Sequence, residues 1–145
     1  MVVYAKDFMT KEVVKIDAMK SALEAAKLMA EREVGSLVVM DGNKPVGIIT
    51  DRDVMVEVVA NDLEPGRIKV SEFMSKPLVT VGLDTPMIEI AGLMEKHGIR
   101  RVPVVERGEI VGIVTSTDMG KASKILAPYL LPRIPEIYLT PKKSK

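Results

Sequence analysis

The first half of the chain contains three short apolar stretches and one amphipathic segment. The stretches Val13–Ile16, Leu37–Met40 and Val46–Thr50 predict strands, and the last two form a hairpin around a polar turn. Between the first two strands, apolar residues at positions 22, 25, 26 and 29 have the spacing of a half-buried helix, which Ser21 and Glu24 begin with a capping-box pattern. A second, strongly apolar helix is expected from residue 51 onward. The predicted order is β-α-β-β-α.

The second half of the chain repeats this pattern at an offset of 65 residues. The alignment runs without a gap from Asp7/Glu72 to Asp53/Asp118. Identical pairs include Phe8/Phe73, Met9/Met74, Val39/Val104, Gly47/Gly112 and Thr50/Thr115. The corresponding strands are expected at 78–81, 102–105 and 110–115. A single register held over so long a stretch indicates a duplicated unit.

The repeat predicts a mixed α+β (α/β) architecture. Residues 1–62 and 66–127 form two tandem β-α-β-β-α units, which we expect to pack across a pseudo-twofold axis because two units are too few for a solenoid. Residues 128–145 form a Pro-rich C-terminal extension whose prolines exclude a long helix. We expect this apolar extension to lie along its own domain or a dimer partner; docking of another protein is the alternative.

Composition narrows the classes of function. The chain has 21 Lys and Arg against 20 Asp and Glu, so its net charge of +1 gives no field that attracts nucleic acid or an anionic membrane. No Cys and a single His exclude Cys-based zinc sites and thiolate catalysis. No apolar run approaches the roughly 20 residues of a membrane-spanning helix. We expect a cytoplasmic protein without a membrane or nucleic-acid partner, a required cofactor, a metal site or catalytic residues.

The ends of the third strands carry the most specific motif. Gly47-Ile-Ile-Thr-Asp-Arg-Asp53 ends the strand in the first unit, and Gly112-Ile-Val-Thr-Ser-Thr-Asp118 ends it in the second. With the element order, these motifs resemble the CBS domain family, and their tandem arrangement resembles the CBS pair, or Bateman module, over residues 4–127. The resemblance implies a homodimer formed through helices and adenosine-containing ligands in clefts between the units.

The resemblance also implies roles for four residues. CBS proteins use this Asp for the ribose hydroxyls and a nearby Ser or Thr for ribose or phosphate, so these roles fall on Thr50, Asp53, Thr115 and Asp118. By itself, the Thr-x-x-Asp spacing is a capping box that needs no ligand. The two interpretations are compatible, because a capped helix start can also serve an anion.

Arginine residues distinguish the two units. Arg100 and Arg101 precede the second hairpin, whereas the first unit has Gly35 and Ser36 at these positions. A guanidinium group can hold phosphate oxygens through two hydrogen bonds. Ordinary surface ion pairs are the alternative explanation for this pair. Arg52 is the candidate cation of the first unit, with exposure at a helix start as its plainer explanation.

Aliphatic side chains are the candidates for holding adenine, although all of them also suit a core. In the second unit they are Val79, Val81, Ile99 and Pro103. In the first unit they are Val14, Ile16, Val34 and Val38. We favour a cleft built around Thr80, Arg101, Thr115 and Asp118. The first unit lacks the paired arginines, so we expect its cleft to be empty or to accept a less charged ligand.

These expectations lead to one hypothesis of function. The chain binds an adenine nucleotide, first of all AMP, with ADP, ATP and S-adenosylmethionine as alternatives, and acts as a regulatory sensor that changes shape or partner affinity. Its other partners would be a second copy of the chain and an unidentified protein. The main alternative is a structural adaptor with vestigial clefts, and nucleic-acid binding is a third hypothesis that the net charge disfavours.

Overall fold

The computed structural model describes the backbone of residues 2–130 and the side chains of residues 2–124. The first part contains α1 (Ala5–Phe8), β1 (Lys15–Asp17), α2 (Ala22–Arg32), β2 (Ser36–Asp41), β3 (Lys44–Thr50) and α3 (Asp51–Asp53), which continues as a π-helix (Val54–Val59). The second contains 3-10 turns (Pro65–Arg67, Val70–Glu72), α4 (Met87–His97), β4 (Arg101–Glu106), β5 (Glu109–Thr115) and α5 (Ser116–Leu130). The predicted mixed α+β class is confirmed, while most of the predicted extension, residues 131–145, lies outside the described residues.

Local signals in the sequence set the helix boundaries. Ser21 caps α2, where its Oγ accepts the Glu24 N–H at 3.1 Å and the Glu24 carboxylate accepts the Ser21 N–H at 2.9 Å. Gly98 ends α4 with a φ of 63°, a left-handed conformation that glycine adopts without strain. Within the described part of the chain, no helix has both the length and the apolar character needed to cross a membrane.

The strands form two small sheets. β1 runs parallel to β2, and β2 runs antiparallel to β3, with Ile16 opposite Val39. β4 and β5 form the equivalent antiparallel hairpin in the second unit. Both hairpins end on the helix that follows them, so the ends of β3 and β5 place Thr50 and Thr115 directly at a helix start.

The first strand of the second unit is shorter than its sequence pattern predicts. In the first unit, the Val38 N–H donates to the Val14 carbonyl at 3.1 Å. Pro103 has the position equivalent to Val38 and carries no N–H, so the matching hydrogen bond to the Val79 carbonyl cannot form. The predicted strand is therefore reduced to a single parallel bridge at Val81.

Each unit contributes its first segment to the core of the other. The Ala5 N–H, in α1, donates to the Thr85 carbonyl of the second unit at 2.9 Å. Reciprocally, the Val70 N–H donates to the Lys20 carbonyl of the first unit at 2.8 Å. Ala5 and Val70 are both fully buried. The two units are therefore interlocked, and each core depends on residues that belong by sequence to the other unit.

The buried apolar residues form two clusters at equivalent positions of the repeat. The first consists of Ile16, Ala25, Met29, Leu37, Val39, Ile49 and Val70. The second consists of Val81, Ile90, Met94, Val102, Val104, Val114 and Ala5. Two residues considered for holding adenine, Ile16 and Val81, are therefore part of the cores.

Gly47→Ala is expected to destabilise the fold by about 1–3 kcal/mol because of overpacking. A Cβ atom at Gly47 would lie 2.7 Å from the Met74 sulfur and 2.9 Å from the Ser75 carbonyl oxygen. Gly92→Ala, in the middle of α4 with no neighbour within 4 Å, is the matched control and should stabilise the protein by roughly 0.5–1 kcal/mol. Urea unfolding measures both changes, and shifts of the same sign would contradict the close approach at Gly47.

Candidate functional site

The two strand-to-helix junctions have the same hydrogen-bonded arrangement. At the first, the Thr50 hydroxyl accepts the Asp53 N–H at 3.1 Å, and the Asp53 carboxylate accepts the Thr50 N–H at 2.9 Å. At the second, Thr115 and Asp118 form the same two bonds, each 3.0 Å long. The capping boxes indicated by the sequence are thus present at both junctions. They hold both aspartates in fixed positions at the starts of α3 and α5.

The two aspartates differ in what else they bind. The Thr10 hydroxyl lies 3.2 Å from both carboxylate oxygens of Asp118. Ser75 is equivalent to Thr10, but among the described residues its side chain makes no hydrogen bond to Asp53. Only Oδ2 of Asp53 accepts a hydrogen bond from this part of the chain. Asp53 therefore keeps one carboxylate oxygen open for a ligand, whereas Asp118 already holds the N-terminal segment.

In the part of the chain that the structure describes, two clefts lie between the units, and each combines the helix start of one unit with the strand-and-loop surface of the other. The larger, about 820 Å³, joins the start of α3 to the second unit. It is lined by Ile48, Thr50, Asp51, Arg52, Asp53, Ser75, Pro77, Leu78, Val79, Gly98, Ile99, Arg100, Arg101 and Pro103. The smaller, about 300 Å³, joins the start of α5 to the first unit. It is lined by Thr10, Glu12, Val13, Val14, Val34, Gly35, Ser36, Val38, Arg100, Arg101, Ile113, Thr115, Ser116 and Thr117.

This arrangement groups the candidate residues differently from the cleft favoured on sequence. The larger cleft contains most of them: Thr50, Arg52, Asp53, Val79, Ile99, Arg100, Arg101 and Pro103. The smaller cleft contains Thr115 and the same two arginines, and also Val14, Val34 and Val38. Four other candidates line neither cleft: Thr80 is exposed, Ile16 and Val81 are in the cores, and Asp118 is bonded to Thr10.

Six residues that line the larger cleft were missed on sequence: Ile48, Asp51, Ser75, Pro77, Leu78 and Gly98. Ile48 lies on β3 two residues before Thr50, and Ser75 follows the Phe-Met pair at the start of the second unit. The available signal was the repeat itself, because Ser75 is equivalent to Thr10, and each forms a single bridge to the third strand of the other unit.

Three arginines, Arg52, Arg100 and Arg101, line the larger cleft together with the carboxylates of Asp51 and Asp53. None of the three forms an ion pair with a carboxylate of the described residues. The Arg101 guanidinium lies against Gly35, where a Cβ atom would be only 2.7 Å from its Nη2 atom. The surface ion pairs considered on sequence are therefore absent from this part of the chain, and the guanidinium groups remain able to bind an anion.

The larger cleft also has an apolar wall, made by Val79, Ile99 and Pro103. Val79 and Ile99 are half-buried, and Pro103 is buried. Because Pro103 has no N–H, the Val79 carbonyl has no hydrogen-bond partner among the described residues. The larger cleft therefore has aliphatic lining residues, and one of them, Val79, has a backbone carbonyl without a partner among the described residues.

Sequence comparisons find relatives that are similar to most of this chain. The uncharacterized protein MK0525 of Methanopyrus kandleri is 35% identical over 128 residues, which cover 87% of this chain and 63% of that protein. The CBS domain-containing protein YhcV of Bacillus subtilis is 35% identical over 114 residues, which cover 79% of this chain and 81% of YhcV. The chain thus spans somewhat less than two thirds of the first of these relatives.

Solved structures with the same fold include ligand complexes and assemblies. The CBS domain pair of MJ0100, crystallised with 5'-methylthioadenosine and S-adenosyl-L-methionine, has a TM-score of 0.77 and 30% identity, covering 86% of this chain and 98% of that one. The hexameric CBS-CP12 protein from bloom-forming cyanobacteria has a TM-score of 0.81 and 31% identity, covering 88% and 75%.

The CBS domain model matches the sequence twice, at residues 5–60 and 70–124. These two ranges contain both capping boxes and all the residues that line the two clefts. The sequence match, the repeated fold and the two equivalent clefts agree, and the chain belongs to the CBS domain family, with its two domains forming a CBS pair.

Proposed function

We propose that this CBS pair is a non-catalytic regulatory module that binds an adenine nucleotide, with AMP as the first candidate, in the larger cleft. One observation carries the proposal: the open carboxylate oxygen of Asp53 and the guanidinium groups of Arg52, Arg100 and Arg101 belong to the same cleft. A ribose diol donates hydrogen bonds to a carboxylate, and guanidinium groups bind phosphate oxygens. A nucleotide combines both partners in one molecule.

The apolar wall of the larger cleft supports an adenine base. Val79 and Ile99 are aliphatic and half-buried, so a flat ring covering them removes apolar surface from water. The exocyclic amino group of adenine can donate a hydrogen bond to the Val79 carbonyl, which lacks a partner because of Pro103. This acceptor favours adenine over a base that presents a carbonyl at the same place.

The charges in the larger cleft favour a phosphorylated ligand. The MJ0100 pair holds two adenosine-containing compounds, and Asp53 with the Val79 carbonyl suits the adenosine part that AMP, ADP, ATP and S-adenosylmethionine share. The three arginines add a preference for phosphate, since S-adenosylmethionine carries no phosphate group. AMP, ADP and ATP thus precede S-adenosylmethionine as candidates, and no further cofactor is needed.

The position of the larger cleft suggests how binding would be transmitted. Asp53 belongs to the first unit, whereas Arg100 and Arg101 belong to the second, so a bound nucleotide bridges the two. A ligand shifts a conformational equilibrium only by its difference in affinity between the states. Binding would therefore favour the arrangement of the units in which the ribose and phosphate contacts form together.

The exposed apolar side chains support a homodimer as the assembly of the module. Around the π-helix and the nearby α2, they are Met55, Val56, Val59, Leu63 and Leu23. Exposed apolar side chains of this kind favour association, and the CBS-CP12 neighbour is itself a hexamer. Sedimentation equilibrium distinguishes a dimer from a monomer or a hexamer.

A thermal-shift series with AMP, ADP, ATP and S-adenosylmethionine tests the proposed function. A nucleotide at 100 times its Kd should stabilise the chain by about 2.7 kcal/mol, or roughly 5–10 °C in Tm. GMP is the matched control. It carries the same ribose and phosphate, but its base has a carbonyl where adenine has the exocyclic amino group. No shift with any of the adenosine compounds would refute nucleotide binding and favour a structural adaptor.

A further inference from the structure

The two clefts share a single pair of cations. Arg100 and Arg101 line both the larger and the smaller cleft. At the equivalent positions of the first unit, Gly35 and Ser36 carry no charge. The Arg101 guanidinium already lies against Gly35, which belongs to the wall of the smaller cleft. This guanidinium is therefore at the boundary between the two clefts and can serve either one.

The other charged residues differ between the two clefts. Beside the shared pair, the larger cleft has the cation Arg52 together with the carboxylates of Asp51 and Asp53. The smaller cleft has the neutral Ser116 and Thr117 at the positions equivalent to Asp51 and Arg52, and so has no cation of its own. The smaller cleft also has Glu12, whose carboxylate forms only an exposed, 3.8 Å ion pair with Arg32. Without the shared arginines, the one formal charge lining the smaller cleft is therefore negative.

We infer that the two clefts compete for the arginine pair, so that one nucleotide per chain binds tightly and excludes a second. The inference rests on the proposed function and deepens it. A phosphate group in the larger cleft takes up Arg100 and Arg101 next to Arg52. A second phosphate in the smaller cleft would then face Glu12 and the first phosphate without a cation of its own. The duplicated fold thus forms two clefts but one anion site.

Isothermal titration with AMP counts these sites. The wild-type chain should bind one AMP, with any second site at least about tenfold weaker, which corresponds to ~1.4 kcal/mol. The double variant Glu12→Gln with Thr117→Arg removes the acid and places a cation where Arg52 lies in the other unit. It should bind two AMP molecules per chain with affinities within about tenfold of each other.

A matched control places a neutral side chain instead of arginine at position 117. Glu12→Gln with Thr117→Gln should still bind one AMP, since neither residue lines the larger cleft. Thr117→Arg alone replaces the double variant if circular dichroism shows that the latter is unfolded. Two equal AMP sites in the wild type, or a single site in the arginine variant, would overturn the inference and leave the proposed function intact. Absence of AMP binding to the wild type would overturn both.

Discussion

Asp53→Asn is expected to weaken AMP binding by about a hundredfold, or ~2.7 kcal/mol. The substitution removes the charge and the second acceptor that a ribose diol needs at the open carboxylate oxygen of Asp53 in the larger cleft. A hydrogen bond to a charged group contributes roughly 1.5–3 kcal/mol. Weakening both bonds from the ribose hydroxyls to residue 53 therefore accounts for a loss of this size. Isothermal titration with AMP measures the change.

Asp118→Asn is the matched control for this substitution. It makes the same chemical change at the equivalent junction, where Thr10 occupies the carboxylate. Both variants keep a side-chain carbonyl that can accept the Thr50 or Thr115 N–H, so the helix caps are disturbed to the same extent. AMP affinity should stay within about twofold of the wild type in Asp118→Asn. Equal losses in the two variants would contradict the assignment of the ribose to Asp53.

Ala5→Asp is expected to destabilise the second unit by about 3 kcal/mol or more, although residue 5 belongs by sequence to the first. Ala5 is fully buried in the cluster that contains Val81, Ile90 and Val114. A carboxylate placed there loses its hydration and finds no cation in the cluster. Urea unfolding measures the loss, and amide hydrogen exchange locates it.

Ala91→Asp is the matched control, because it introduces the same carboxylate at an exposed position. Ala91 is exposed on α4, in the same unit whose core Ala5 enters. The same substitution there should cost less than about 1 kcal/mol, which reflects helix propensity alone. Two results would contradict the conclusion that the cores are interlocked. In the first, Ala5→Asp accelerates exchange only in the first unit. In the second, it lowers the free energy of unfolding no more than Ala91→Asp does.

The repeated fold could be predicted because its signals are local. The capping boxes at Thr50 and Thr115 depend on residues three positions apart, and both form as the spacing indicates. The offset of 65 residues likewise anticipated two equivalent hairpins and helices. Periodicity and capping report on neighbours along the chain, and the pseudo-twofold repeat follows from finding the same neighbours twice.

The composition of each cleft could not be predicted, because it depends on how the units pack against each other. The helix start at Asp53 meets Val79 and Ile99 of the second unit, and no pattern within either unit specifies this pairing. The bond from Thr10 to Asp118 joins residues 108 positions apart. This distant contact distinguishes two motifs that look equivalent in the sequence.

The missing hydrogen bond at Pro103 could be predicted only in part. A proline within a predicted strand indicates a lost N–H, so the shortened first strand of the second unit could have been foreseen. Its consequence needed the fold, since only the packing of the units brings Val79, whose carbonyl has no partner among the described residues, into the lining of the larger cleft with Arg101.

A crystal structure of the chain with AMP would show most directly whether a helix start of the first unit and the arginines of the second form one nucleotide site. We expect the ribose hydroxyls within hydrogen-bond distance of the Asp53 carboxylate and the phosphate in contact with Arg100 or Arg101. Nucleotide density at Thr115 in the smaller cleft, with the larger cleft empty, would contradict this assignment.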